Sequence, residues 1–441
     1  MRERFHRSAR HDVDRVAMVS LHTSPLERPG SGDAGGMNVY IGSLARELSR
    51  DGIEVDVFTR ATSARQPEQV VRDPGVTVRH VLAGPFDDLP KDELPAQLCS
   101  FAGGVLREEA AVRPGHYDLV HSHYWLSGQI GLVAAQRWDV PLVHSMHTMA
   151  KVKNRARVDG EAPEPAARVA GEQEVVDRAD VLVANTEVEA AQLSELYHAD
   201  PARVVTIEPG VDLTTFRPVD AADRARLRAA RGLPADATVV LFAGRFQPHK
   251  APDLVVRALG RAYADGLLDT GGLGARVEAV FVGGPSGASS FGRQDLLRMA
   301  SREGIGDRVR VEPPAEPAVL AEWFALADLV VVPSYSESFG LVAAEAQASG
   351  TPVLAAAVGG LPTAVRDGYS GLLVHGHREQ DWARALAGLV GDPRRLADLR
   401  EGALEHGRRF SWEHTARRTL AVYRAAVAER RGTGAQAARA G

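Results

Sequence analysis

A chain of 441 residues with 44 % hydrophobic content has material for two or three domains, each with its own core. Its formal charge of −5 leaves no footprint for nucleic-acid binding, and its one cysteine, Cys99, excludes a disulfide framework or thiolate metal cluster and points to a reducing, cytoplasmic setting. No apolar run reaches the roughly 18–20 residues of a membrane helix. Residues 1–14 read as a polar N-terminal extension without a signal peptide's apolar stretch. From residue 15, apolar β-branched runs alternate with amphipathic stretches. Strands are expected at 15–20, 55–59, 76–82, 119–122, 142–146, 181–185 and 204–208, with helices at 37–50, 166–178 and 187–196. After Pro209-Gly210 and a polar stretch at 212–234 the pattern restarts. Strands are then expected at 238–243, 279–282, 309–311, 329–332 and 353–356, and helices at 252–264, 293–302, 318–326, 341–349 and 382–390. The alternation predicts an α/β chain of two Rossmann-like, doubly wound domains, 15–210 and 211–411, facing across a deep cleft. A helix at 412–431 crossing back to the first domain and a disordered tail at 432–441 complete the expectation.

Open α/β sheets bind ligands beyond the carboxyl ends of their strands, so the chemistry is sought there. Asp33-Ala34-Gly35-Gly36-Met37-Asn38 joins the first strand to the first helix. Its glycines allow close backbone approach, and free helix N–H groups favour an anion such as phosphate; an ordinary tight turn is the alternative. In the second domain, Gly244-Arg245-Phe246-Gln247-Pro248-His249-Lys250 carries two cations that can converge on a diphosphate, or simply cap a solvated loop. Lys250 is one of only four lysines among 52 basic residues, with Lys91, Lys151 and Lys153. Gly283-Gly284-Pro285-Ser286-Gly287 is either a second approach to the same ligand or a plain turn. In Ser336-Glu337-Ser338-Phe339-Gly340-Leu341-Val342-Ala343-Ala344-Glu345, the second glutamate interrupts an otherwise apolar helix. A carboxylate matches a vicinal diol, so one glutamate suits a ribose and the other a sugar ring; a hydrolase acid–base pair competes. His22, His121, His123, His144 and His147 gather at strand ends, as metal ligands or as hydrogen-bonding groups for a polar ligand, with His22 and His147 best read as sugar contacts.

Together these residues resemble the retaining glycosyltransferases of family 4, of GT-B fold, over about residues 15–430. The Glu337-to-Glu345 element and the Gly244-Arg245 to Lys250 loop match that family's donor-site signatures. His22-Thr23-Ser24-Pro25, Gly32-Asp33-Ala34-Gly35-Gly36-Met37-Asn38-Val39-Tyr40, His121-Ser122-His123-Tyr124-Trp125-Leu126-Ser127-Gly128 and His147-Thr148 resemble the branch that glycosylates D-inositol 3-phosphate in mycothiol biosynthesis. Sucrose-phosphate and sucrose synthases share parts of these motifs. The resemblance implies UDP-N-acetylglucosamine as donor and 1D-myo-inositol 3-phosphate as acceptor. Arg245 and Lys250 would neutralise the diphosphate, Glu345 hold the ribose, Glu337 and His147 the donor sugar, and Gly36 approach the diphosphate or the reacting centre. His147, Glu337, Arg245 and Lys250 form the implied catalytic set. Ala315 stands where a basic residue is expected, which leaves a main-chain nucleotide contact. Lys91, Tyr124, Thr148 and Arg168 would bind the acceptor phosphate, with His22 and Asp33, Ala34, Gly35, Gly36, Met37 and Asn38 on the ring. The resemblance further implies no organic cofactor, a Mg²⁺ held by backbone oxygens near Phe324, Ala325 and Ala327 and by Thr351, a homodimer, and no nucleic-acid or membrane partner. Another acceptor (fructose 6-phosphate or a lipid-linked sugar) and a non-catalytic nucleotide-sugar-binding protein stay open as alternatives.

Overall fold

A computed structural model describes residues 13–27, 35–87, 89–157, 162–268, 276–285 and 291–440, with the backbone alone for 433–440. Most of the N-terminal extension, Asp33, Ala34, Ser286 and Gly287 therefore lie outside the described residues. The first unit is built on β1 (Arg15–Val19), β2 (Glu54–Arg60), β3 (Gln69–Asp73), β4 (Val76–Val81), β5 (Leu119–His123), β6 (Leu142–Ser145), β7 (Val181–Ala184) and β8 (Val204–Thr206). They form one sheet in the order β3-β4-β2-β1-β5-β6-β7-β8, parallel except for the β3–β4 pair. Along β1, Val16 and Met18 enter one apolar cluster and Ala17 and Val19 another. Successive side chains leave opposite faces of a strand, so both faces are covered, as a parallel sheet requires.

The second unit holds β9 (Thr238–Ala243), β10 (Val277–Val282), β11 (Val309–Glu312), β12 (Leu329–Val332), β13 (Val353–Ala356) and β14 (Gly371–Val374). Their order is β11-β10-β9-β12-β13-β14, all parallel. The C-terminal helix Trp412–Ala440 leaves this unit and seats Trp412, Ala416, Leu420, Tyr423 and Val427 in the first unit's core. That spacing puts one apolar stripe on one helix face. The two chains linking the units cross closely: a Cβ on Gly210 would stand 2.2 Å from the Trp412 backbone nitrogen.

Three expectations need correction. The last helix, expected over 412–431, runs to Ala440; Ala435, Ala437, Ala438 and Ala440 are strong helix formers, against Gly432 and Gly434. The polar stretch at 212–234 contains the helix Ala221–Ala230, started by the Asp220 carboxylate accepting from Asp223 N at 2.7 Å. β3 precedes the histidine-bearing strands, so His121 and His123 lie on the fifth strand and His144 on the sixth. Among the described residues no helix is long and apolar enough to cross a membrane.

Candidate active site

The segments after the carboxyl ends of β6 and β7 face those after β9, β12 and β13 across a cavity of about 740 Å³. Thr148, Lys153 and Glu189 line it from the first unit, and Arg245, Lys250 and Glu337 from the second. On the donor side, β9 ends in the loop carrying Arg245 and Lys250. A Cβ on Gly283, after β10, would lie 1.9 Å from the Gly244 carbonyl oxygen, so the two strand-end loops touch. Lys250 donates to the Glu337 carboxylate, which also accepts from Ser334 Oγ at 3.1 Å. The glycine loop of the first unit meets this side: a Cβ on Gly35 would be 3.8 Å from the Arg245 guanidinium, and one on Gly36 3.3 Å from Leu341. Ala315 is half-buried in the loop after β11. Glu345, on the helix after the Glu337 loop, is 8 % exposed, and burial pushes its carboxyl up to about 8.

The residues expected to bind the acceptor are drawn together from four segments. The His22 and Tyr124 rings lie 4.5 Å apart, and the Arg168 guanidinium lies 5.0 Å over Tyr124. Arg168 donates to Thr148 Oγ1 at 2.9 Å, Glu164 at 2.7 Å and Glu172 at 2.7 Å. Burial lowers the His22 pKa well below its usual value, and the Lys91 charge adds to that; Lys91 itself is exposed. Gly36 is exposed and Met37 half-buried at the start of the first helix. Asn38 is buried and serves the loop: it donates to the Ser24 carbonyl at 2.6 Å and accepts from Gly35 N at 3.1 Å.

The histidines form a buried polar stack. His147 Nε2 lies 3.0 Å from His123 Nδ1, and the His121 Nδ1 lies 2.6 Å from Tyr423 Oη of the C-terminal helix. Ser122 Oγ lies 2.8 Å from His144 Nδ1. Burial holds His144 and His147 down at about 3 and His121 and His123 well below their usual range, so all four are neutral at pH 7. Among the described residues no group of three or more His, Cys, Asp or Glu is disposed to hold a metal ion.

The oxygens implied for Mg²⁺ are already engaged. Thr351 Oγ1 donates to the Phe324 carbonyl at 2.6 Å, and the Ala327 carbonyl accepts from Arg224 and Arg400, each at 2.9 Å. Arg224 and Arg228 also bind Asp328, each at 2.5 Å. Three guanidiniums against one carboxylate leave the place positive, and burial beside these cations lowers Arg400 to about 10. These residues do not fit a divalent cation. They also precede β12 and β13, at the strand ends away from the cleft.

Two further groups escape the sequence reading. Glu189 lines the cavity, is 4 % exposed and is pushed up to about 7 by burial. Its signal was the pattern Thr186-x-x-Glu189, an N-cap in which Thr186 Oγ1 accepts from Glu189 N at 3.1 Å. Ser338 donates to the His147 carbonyl oxygen across the cleft. No local pattern announces that contact.

The arrangement offers cations for a diphosphate on one side, the Arg168 guanidinium held between Glu164 and Glu172 behind Thr148 on the other, and carboxylates for hydroxyl groups. Residues 35–210 match the family model of the glycosyl transferase 4-like domain, and residues 223–406 that of glycosyl transferases group 1. A D-inositol 3-phosphate glycosyltransferase of Nocardioides sp. is 58 % identical over 423 residues, 95 % of this chain and 91 % of that protein. One from Streptomyces scabiei is 54 % identical over 431 residues, 98 % of this chain and 94 % of that protein. Among solved structures, a sucrose-phosphate synthase from Thermosynechococcus elongatus superposes with a TM-score of 0.84 at 31 % identity, over 94 % of this chain and all of that one.

Proposed function

The chain belongs to the D-inositol 3-phosphate glycosyltransferases, of family 4 and GT-B fold, and from that premise we propose that it moves N-acetylglucosamine from UDP-N-acetylglucosamine to 1D-myo-inositol 3-phosphate. The product is N-acetylglucosaminyl-inositol phosphate, made with retention as the first committed step of mycothiol biosynthesis. One observation carries the reading: Arg245 and Lys250 line the cleft from one unit and Thr148 from the other, with Arg168 bonded to Thr148 at 2.9 Å and packed over Tyr124 beside His22 behind it. Two phosphorylated substrates thus have separate, facing cationic seats.

The acceptor hydroxyl attacks the anomeric carbon from the face the diphosphate leaves. The bond from that carbon to the diphosphate oxygen breaks as the new glycosidic bond forms. The hydroxyl proton passes to the departing phosphate oxygen, so no protein base is required. Arg245 and Lys250 stabilise the charge gathering on the diphosphate, with the Gly35-Gly36 backbone opposite them. Preorganised charge of this kind is usually the largest catalytic contribution. Glu337 and the neutral His147 orient the sugar, and Glu345 takes the ribose. No step passes through a metal. A cytoplasmic homodimer goes with this reading, on the family resemblance alone.

An acceptor screen with UDP release as the readout tests it. Release is expected with UDP-N-acetylglucosamine and inositol 3-phosphate together. Faster release with fructose 6-phosphate or a lipid-linked sugar would redirect the acceptor assignment. Binding without turnover on any acceptor would favour a nucleotide-sugar sensor.

A further inference from the structure

His147 occupies a three-residue turn. Thr148 N donates to the Met146 carbonyl at 2.7 Å, and His147 between them has φ 59°. This is the γ-turn with positive central φ, the rarer and more strained of the two forms. Such strain persists only where the surroundings over-determine it. The turn directs the His147 carbonyl across the cleft, where it accepts from the Ser338 hydroxyl. Ser338 directly follows Glu337, the partner of Lys250, on a loop pinned from beneath. Gly360 N donates to the Glu337 carbonyl at 2.9 Å, and a Cβ on Gly360 would lie 2.3 Å from the Ser338 carbonyl oxygen. On the other wall, Thr148 is fixed by Arg168 at 2.9 Å. One hydroxyl therefore ties the acceptor-phosphate loop of one domain to the donor-sugar loop of the other.

We propose that Ser338 is a positioning residue, a latch that holds the two domains shut over the donor sugar through the His147 main chain. The proposal rests on the transferase reading above. Ser338 takes no proton and contacts no reacting atom. It fixes Glu337 and Thr148 in one frame, so that both substrates meet in a single geometry. It also keeps the cleft closed to water, which otherwise competes with the acceptor for the activated sugar. The γ-turn is the part that yields when the latch opens, since its strain is released there.

The test uses the full chain with Ser338→Ala and Ser338→Thr. UDP release is measured with and without inositol 3-phosphate, which separates transfer from donor hydrolysis. Ser338→Ala is expected to lower kcat for transfer about 3- to 10-fold, the size of one hydrogen bond. It is also expected to raise the hydrolysed share of donor and to leave acceptor KM within about twofold, because the phosphate seat is intact. Ser338→Thr, which keeps the hydroxyl, restores both. Hydrogen exchange in peptides spanning 145–157, without substrates, is expected to be faster in Ser338→Ala and unchanged in Ser338→Thr. An unchanged partition between hydrolysis and transfer overturns the latch, whatever the exchange reads. If the wild-type chain releases no UDP with this substrate pair, the transferase reading fails instead. The exchange comparison alone then decides the latch, and equal rates in Ser338→Ala and wild type overturn it.

Discussion

Arg168 and Lys250 face one cleft from opposite domains, and they are held differently. Arg168 is 5 % exposed, locked by Glu164, Glu172 and Thr148 and stacked on Tyr124. The same unit holds five histidines at its strand ends, three buried and two half-buried, kept neutral by burial. Lys250 keeps 23 % of its side chain exposed and pairs with Glu337 at the cavity wall. The seat proposed for the acceptor is thus already assembled around Arg168. The donor seat is a salt bridge that a diphosphate and a sugar can re-partner, the ammonium taking the phosphate and the carboxylate the hydroxyls. A preassembled seat loses little entropy on binding, so it sets affinity and selectivity. A seat whose charges respond to the leaving group sets rate. Lys250 belongs with the second kind. Lys151 is a structural lysine, bonded to Gln173 at 3.0 Å and to the Leu196 carbonyl at 2.6 Å. Lys153 pairs with Glu164, the same carboxylate that holds Arg168.

The division of labour is broken most severely from the donor side. Lys250→Ala and Glu345→Ala are each expected to cost about 10²- to 10³-fold in kcat/KM, with an unchanged circular dichroism spectrum. Near-wild-type turnover in either would remove that residue from the donor site. Lys91→Ala sharpens the other half. It is expected to raise acceptor KM roughly 10- to 100-fold, the range of a charge-assisted hydrogen bond, with donor KM nearly unchanged. Steady-state kinetics with each substrate varied in turn reads the split.

Stability against pH follows the same contrast. The five histidines have folded pKa values below their usual 6.5, so the folded chain binds fewer protons than the unfolded one under acid. Their contribution is complete above 6.5 and is lost as pH falls. Glu189 and Glu345, raised to about 7 and about 8 from 4.5, run the other way: their contribution is complete below 4.5 and lost as pH rises. His116, His249 and His406 are lowered too, and eight histidines outweigh two carboxyls, so unfolding free energy falls below pH 6.5, by about 1.4 kcal/mol per pH unit for each uncompensated group. Urea melts near pH 7 and near pH 5.5 check this; a higher midpoint at the lower pH contradicts it. The smallest expected effect is that of chelation. With Arg224, Arg228 and Arg400 at the place implied for a cation, EDTA is expected to leave both turnover and melting temperature unchanged.

The alternation of β1, β2 and β4 to β13 with amphipathic helices was legible because buried parallel strands are continuous apolar runs and their helices carry one apolar face. β3 escaped because it is a half-exposed, antiparallel edge strand. The helix Trp125–Trp138 escaped because it is buried on most sides and so lacks a polar face to mark its period. In the site, Arg245, Lys250, Glu337 and Glu345 stood out because a charge beside glycines or in an apolar helix needs a reason. Ser338 did not, because its partner lies 191 residues away and is a main-chain oxygen. The His121–Tyr423 contact, across 302 residues, was hidden for the same reason. Sequence periodicity speaks of faces, and these contacts belong to the meeting of two domains.

The central claim is that two facing phosphate seats join a nucleotide-activated sugar to a phosphorylated cyclitol with retention. Its most direct measurement is the NMR spectrum of the product formed from UDP-N-acetylglucosamine and 1D-myo-inositol 3-phosphate. The account predicts a new N-acetylglucosaminyl-inositol phosphate with the small H1–H2 coupling of an α-linkage. A large coupling, or free N-acetylglucosamine as the sole sugar product, would contradict it.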